Sequence, residues 1–244
     1  MPDYRKQAKQ FINAGYSVIP VNSTKNPSIP KWGLYQIRVM NDQEIEKYFK
    51  DCYGIALLCG GPWRVVGLDF DLKYDLTGTL WNRYKKEIPK EILEKMYVQT
   101  TKNKGFHMAF KAPSEKLVGN EKLAARGTTA YERDETYREA FNDPETRDKA
   151  TKIADKDRSR VLIETRSGSD KAAGGYIVIS PTEGYKKVFG KKINEISSEE
   201  YDVLFDVARS FNEVKDLENR DKNFSYNEDW EVSPFEHYNT DGDV

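Results

Sequence analysis

Asp69 and Asp71 stand two residues apart in WRVVGLDFDLK (residues 63–73), where Val65, Val66, Leu68 and Phe70 otherwise make an apolar, strand-forming run. Side chains two apart on a strand share a face, with their Cα atoms roughly 6–7 Å apart. Two carboxylates held that way on a segment that favours burial repel each other and lose hydration. A divalent cation between them would relieve both penalties, and hard oxygen ligands suit Mg²⁺ or Mn²⁺. The other reading is a strand end that reaches solvent and carries two ordinary surface aspartates.

Two further strands carry groups of the same kind. RVLIETR (160–166) sets Glu164 and Arg166 on one face and Val161, Ile163 and Thr165 on the other. In TTKNKGFHMAF (100–110), His107 follows a Lys104-Gly105 turn, with Phe106, Met108 and Phe110 facing the opposite way. Taken singly, a Glu-x-Arg strand is more often a cross-strand ion pair, and a strand histidine more often a satisfied core or surface residue. The order matters more than any member: Asp-x-Asp, then Gly-x-His, then Glu-x-Arg followed by the Gly-rich GSDKAAGG (168–175).

Short helices and strands must position these groups. A helix is expected over residues 3–14, with Tyr4, Ala8, Phe11 and Ile12 on one face, stopping at Gly15 before the strand YSVIPV. NSTKNPSIPKWGLYQ (22–36) reads as a Pro-punctuated loop carrying Lys25, Lys31 and Trp32, and Asn41 and Asp42 as a cap for the helix DQEIEKYFKDC. GIALLCG is a strand, helices are expected over 76–86 and 89–95, and MYVQTT, FHMAFKAP, RVLIETR and YIVISP are strands. A final helix begins near Ser197. Without a strict βαβ rhythm the pattern argues for an α+β fold.

Residues 119–160 hold ten acidic and ten basic side chains and read as a charged insertion, helical or flexible. Residues 216–244 carry nine acidic groups against Arg220 and Lys222, a local charge of −7, which leaves residues 1–215 at +6. A mildly basic body is compatible with a nucleic-acid partner. The 244 residues contain no apolar run long enough to span a membrane and no secretion-signal pattern at the N-terminus, so a cytoplasmic location is expected. Cys52 and Cys59 lack metal-ligand spacing and read as buried thiols.

The ordered set resembles the N-terminal primase–polymerase domain of phage and plasmid replication proteins, within the archaeo-eukaryotic primase superfamily. The resemblance runs over roughly residues 4–212. It rests on the helix leading into GYSVIPV, on KNPSIPKW, on GLDFD as a first catalytic motif and on TTKNKGFHMAF as a Gly-x-His motif. GNEKLA and IETRSGSDKAAGGYIVISPTEGY complete it. The sequence departs from the family's usual pattern in placing Lys104 beside Gly105, and in Ser180-Pro181-Thr182 where Pro-Pro-Ser is frequent.

The resemblance implies a primase-like catalytic core, with an RRM-like β-sheet, flanking helices and a metal site in a central cleft. It implies template-directed nucleotidyl transfer by a DNA primase or DNA polymerase using two Mg²⁺ or Mn²⁺ ions. Asp69, Asp71 and Glu164 would be the catalytic metal ligands, and His107, Arg166, Lys104 and Lys31 would contact nucleotide. Expected partners are single-stranded or primed DNA and nucleoside triphosphates, in a bacterial host cell. Residues 1–215 would be the catalytic domain and 216–244 an acidic linker to a C-terminal helicase-type module of a longer replication protein. Two other functions fit part of the pattern. A Mn²⁺-dependent glycosyltransferase would use the Asp-x-Asp pair, and a nucleotide- or DNA-binding module would lack turnover.

Overall fold

The structure, a computed structural model, describes residues 2–215; the acidic tail expected at 216–244 lies outside the described residues. Among the described residues, nine strands and seven α-helices make a mixed α+β fold around one curled sheet, whose strand ladders are all antiparallel. The strands are β1 (Val18–Val21), β2 (Gly54–Gly60), β3 (Val65–Phe70), β4 (Tyr97–Thr100), β5 (Phe106–Lys111), β6 (Lys122–Gly127), β7 (Ser159–Arg166), β8 (Ala173–Ile179) and β9 (Lys186–Phe189). The helices are α1 (Tyr4–Asn13), α2 (Asp42–Tyr48), α3 (Leu80–Glu87), α4 (Lys90–Leu93), α5 (Ala130–Asn142), α6 (Ala150–Lys156) and α7 (Ser198–Ser210).

Side chains close the starts of three helices. Asn41 caps α2, Thr129 caps α5 and Ser197 caps α7, each in a reciprocal box with a glutamate three residues on. α7 buries Tyr201, Leu204, Phe205 and Ala208, the spacing of one helical face.

β3 is the axis of the sheet. One edge pairs with β5 along its whole length, and the other passes from β2, at the single pair Gly60↔Val65, to β7 over residues 67–70. Outward from β5 come β4 and β9, outward from β7 comes β6, and β2 is flanked by β1 and β8. Alternation then sorts the side chains into two cores. Val66, Leu68, Phe70, Met108, Phe110 and Ile163 pack with α3 and α7 on one face. Val65, Tyr97 and Ala109 point the other way and join Ile177, Val178 and the β1–β2 residues. Phe70 anchors the first core, edge-on to Trp81 at 5.0 Å and to Tyr84 at 4.7 Å.

Two strands depart from the sequence reading. Residues 122–127, within the expected charged insertion, form β6 on the outer edge of β7, so the excursion proper is the α5–α6 pair. KKVF forms β9, an edge strand whose exposed lysines discourage pairing with another chain. Cys52 and Cys59 are free thiols, raised to about 11 and about 12 by burial. No helix among the described residues is long and apolar enough to cross a membrane.

Where β5 begins beside the end of β3, Gly105 leaves no room for a side chain. A Cβ at Gly105 would sit 2.3 Å from the Phe70 carbonyl oxygen, whereas one at exposed Gly127 would meet nothing within 4 Å. Gly105→Ala is therefore expected to cost about 1–3 kcal/mol, and Gly127→Ala under about 1 kcal/mol. Denaturant unfolding of the two variants checks this, and equal costs would refute the close approach.

Candidate active site

Antiparallel register puts the chemistry-bearing residues in one row. Asp69 lies directly opposite His107 on β5 and opposite Glu164 on β7. The row continues outward from His107 to Gln99 on β4, and from Glu164 to Lys122 on β6. Directly opposed side chains share a face and lie within reach of each other. The row sits on the face that also carries Val65 and Ala109, at the border of the core shared with β8.

Asp71 comes one residue past the end of β3. Its backbone N–H still donates to the Leu162 carbonyl (2.9 Å), and its side chain makes no capping bond to the short turn that follows. Lys73 Nζ is 3.4 Å from Asp71 Oδ2. Arg166 stands across from Gly67, one row along from Asp69, and its guanidinium pairs with Glu164.

Burial dominates the electrostatics of the row. It pushes the Asp69 carboxyl up to about 6, with nearby Asp71 adding to the rise and Arg166, Lys25 and Lys73 opposing it. Glu164 is likewise raised, first by burial, with Arg166 opposing and Asp69 and Asp71 adding to the rise. His107 is pushed down to about 3 by burial and by the Arg166 guanidinium, so the imidazole is neutral near pH 7. Its Nε2 lies 3.5 Å from Asp69 Oδ1 and its Nδ1 3.0 Å from Gln99 Nε2.

Among the described residues, no three acidic, imidazole or thiol groups close into a ready-made ion cage. The donor chemistry nonetheless fits a divalent ion, because neighbouring carboxylates with suppressed ionisation are what a hard cation would neutralise.

Of the residues singled out from sequence, Asp69, Asp71, His107, Glu164 and Arg166 come together. Lys31 is exposed ahead of the turn that carries Trp32, and Trp32 packs edge-on against Tyr176 at 5.8 Å. Lys104 is exposed at a left-handed position (φ 65°) in the turn before β5. The lysine whose charge acts on Asp69 and His107 is Lys25, at the other end of the same Pro-containing loop. Asn22 folds that loop by accepting from the backbone N–H groups of Thr24 and Asn26, both at 3.0 Å, and the Tyr176 hydroxyl donates to the Lys25 carbonyl. Asn-x-Thr ahead of a lysine is the signal that could have favoured Lys25 over Lys31. Tyr185 was also missed; its ring lies 5.9 Å from that of His107.

The remaining motifs hold the Glu164–Arg166 strand. Asn120 Oδ1 accepts from Ser167 N–H (2.8 Å), and Glu121 exchanges backbone and hydroxyl bonds with Thr165. The glycines of the turn after Arg166 serve backbone contact, since a Cβ on Gly168 would lie 2.2 Å from Gly174 N.

The fold and the site together define an α+β protein with a carboxylate-lined, partly desolvated row on the face of an antiparallel sheet. The chain belongs to the family of N-terminal domains of bifunctional DNA primase/polymerases, whose model matches residues 8–196. Membership implies primase/polymerase-type activity, a nucleotidyltransferase class, at the level of the family. A comparison with curated proteins returned no match.

The raised Asp69 has a stability consequence. Between the unfolded value of about 4 and the folded value of about 6, the folded protein holds the extra proton. Stability from this group is therefore full below pH 4 and is lost as pH rises through 6. Asp69→Asn is expected to stabilise the metal-free protein at pH 8 by about 1–3 kcal/mol, with the gain shrinking towards pH 4. Thermal unfolding in chelator at both pH values tests this, and a variant no more stable than wild type at pH 8 contradicts it.

Proposed function

We propose that the chain is the catalytic domain of a DNA primase–polymerase that extends or starts strands by two-metal-ion nucleotidyl transfer. The observation that carries this reading is the Glu164–Asp69–His107 row, with Asp71 and Arg166 beside it, in a chain of this family. Asp69, Asp71 and Glu164 would hold two Mg²⁺ or Mn²⁺ ions, which, when bound, sharpen the attacking hydroxyl and neutralise the leaving pyrophosphate. An oxygen of the primer end or initiating nucleotide forms a bond to the α-phosphorus, the bond to the β-phosphate oxygen breaks, and the hydroxyl proton passes to solvent.

This chain's own groups bind and orient. His107 is a neutral hydrogen-bonding group beside the carboxylates, suited to touch a triphosphate without competing for a cation. Arg166 offers a planar fork to phosphate oxygens, and Lys25 adds positive charge that acts on Asp69 and His107. Lys31 and Lys104, being exposed, would meet the outer part of the nucleotide or the template backbone. The proposed partners are single-stranded or primed DNA, nucleoside triphosphates and, in a phage or plasmid replication protein of the bacterial cytoplasm, a helicase-type module after the acidic segment.

A glycosyltransferase would use the aspartate pair but would leave the His107 and Glu164–Arg166 strands without a role. The binding-only alternative is separated by the test itself. Asp69→Ala with Asp71→Ala is expected to reduce divalent-dependent incorporation on primed and unprimed single-stranded templates to background, while template binding persists. Mg²⁺ or Mn²⁺ should raise the Tm of wild type and not of the double variant. Normal extension by a folded double variant would sink the assignment.

A further inference from the structure

Gln99 is fully buried on β4, directly opposite His107. The orientation of its amide follows from two backbone partners. Ser180 N–H donates to one terminal atom at 3.0 Å, which must therefore be the oxygen. The Val178 carbonyl lies 2.7 Å from the other, which must be the nitrogen. A flipped amide would set two donors together on one side and two acceptors on the other.

With that orientation fixed, the second hydrogen of Gln99 Nε2 faces His107 Nδ1 at 3.0 Å. Nδ1 has to accept. A protonated Nδ1, whether in the other neutral tautomer or in the imidazolium, would place an N–H against the amide NH₂. The competing arrangement is Nδ1–H donating to the Val178 carbonyl, which also acts on the ring. That carbonyl has a second lone pair and would keep its 2.7 Å bond from Gln99, but the Nδ1–H would then stand 3.0 Å from the Gln99 amide nitrogen and leave its second hydrogen without an acceptor. A neutral ring with a bare Nδ1 carries its proton on Nε2, the atom that faces Asp69.

We propose that Gln99 is a positioning residue that locks His107 in the Nε2–H tautomer and so aims a hydrogen-bond donor from β5 into the carboxylate row, towards the triphosphate of an incoming nucleotide. The lock stands on geometry alone; its use towards a triphosphate rests on the nucleotidyl-transfer reading. A carboxylate row repels an anionic substrate, so a fixed donor beside it has a clear purpose. The opposite tautomer would turn a lone pair towards the same phosphates.

The chain has two histidines, His107 and His237, so ¹⁵N-histidine labelling gives two rings, and His237→Gln assigns them. In wild type, His107 Nδ1 is expected to resonate as the bare nitrogen and Nε2 as the protonated one. Gln99→Glu supplies no hydrogen to Nδ1 and leaves the Val178 carbonyl in need of a donor, so the tautomer is expected to reverse. The same variant should raise the KM for nucleotide about tenfold or more, a loss of roughly 1.4 kcal/mol per factor of ten. A wild-type ring protonated on Nδ1 overturns the lock whatever the variant does. An unchanged KM in a Gln99→Glu protein with reversed tautomer overturns the role towards nucleotide. Absence of nucleotide incorporation by wild type would instead count against the proposed function, with the ring spectrum still deciding the lock.

Discussion

A carboxylate on the central strand of a sheet is surrounded by whatever its two neighbours place opposite it, and here those places are taken by His107 and Glu164. The arrangement of the site follows from that double register. A slip of one residue in either ladder would turn Asp69 into the core of Phe70, Trp81 and Tyr84 and bring apolar side chains to the polar row. The two cores on opposite faces of β3 therefore specify the row as firmly as they specify the fold. No flexible loop is needed to bring the three groups together, although loops supply Lys25 and Tyr185 around them.

Holding the third strand in place is the structural task of several motifs that resemble chemical ones. Asn120 and Glu121 fasten the segment from Thr165 to Ser167 through backbone bonds. The glycines beyond Arg166 let the turn lie against Gly60 with backbone touching backbone; a Cβ on Gly60 would come 2.3 Å from Gly168 N. Gly61 N–H closes the seam by donating to the Ser169 carbonyl at 2.7 Å. A Gly-rich turn next to an arginine invites a phosphate-cradle reading, and in this chain its visible work is to let the β7–β8 connection lie against the end of β2.

The strands that carry the row were legible because each sets a single titratable residue into an otherwise apolar, strand-forming run. Asp69 stands between Leu68 and Phe70, and His107 between Phe106 and Met108, while Glu164 follows Val161-Leu162-Ile163. β6 was not legible, since its buried residues Leu123, Ala124 and Ala125 are small or single within a heavily charged stretch and lack the β-branched signature of a strand. β9 escaped for the opposite reason, being an exposed edge with two lysines. Gln99 was visible as a polar residue in MYVQTT, but its meaning depends on Val178 and Ser180, some 80 positions away. Choosing between Lys25 and Lys31 required the path of a loop that Asn22 folds, which residue composition does not convey.

Burial of the row sets stability against chemistry. Ionising Asp69 and Glu164 in a partly desolvated place is unfavourable, which is why both are raised, and the flanking cations Arg166, Lys25 and Lys73 offset only part of that cost. A fold optimised for stability alone would replace the carboxylates with apolar groups of similar size, as buried ionic groups often allow. Retaining them makes physical sense if a bound cation supplies the missing charge, because the same desolvation that penalises bare carboxylates strengthens their attraction for it. Under the proposed reading, His107 is neutral for a related reason. A second positive charge at Nε2 would compete with the cation for Asp69, whereas a neutral ring held by Gln99 can donate to phosphate and leave the carboxylate free.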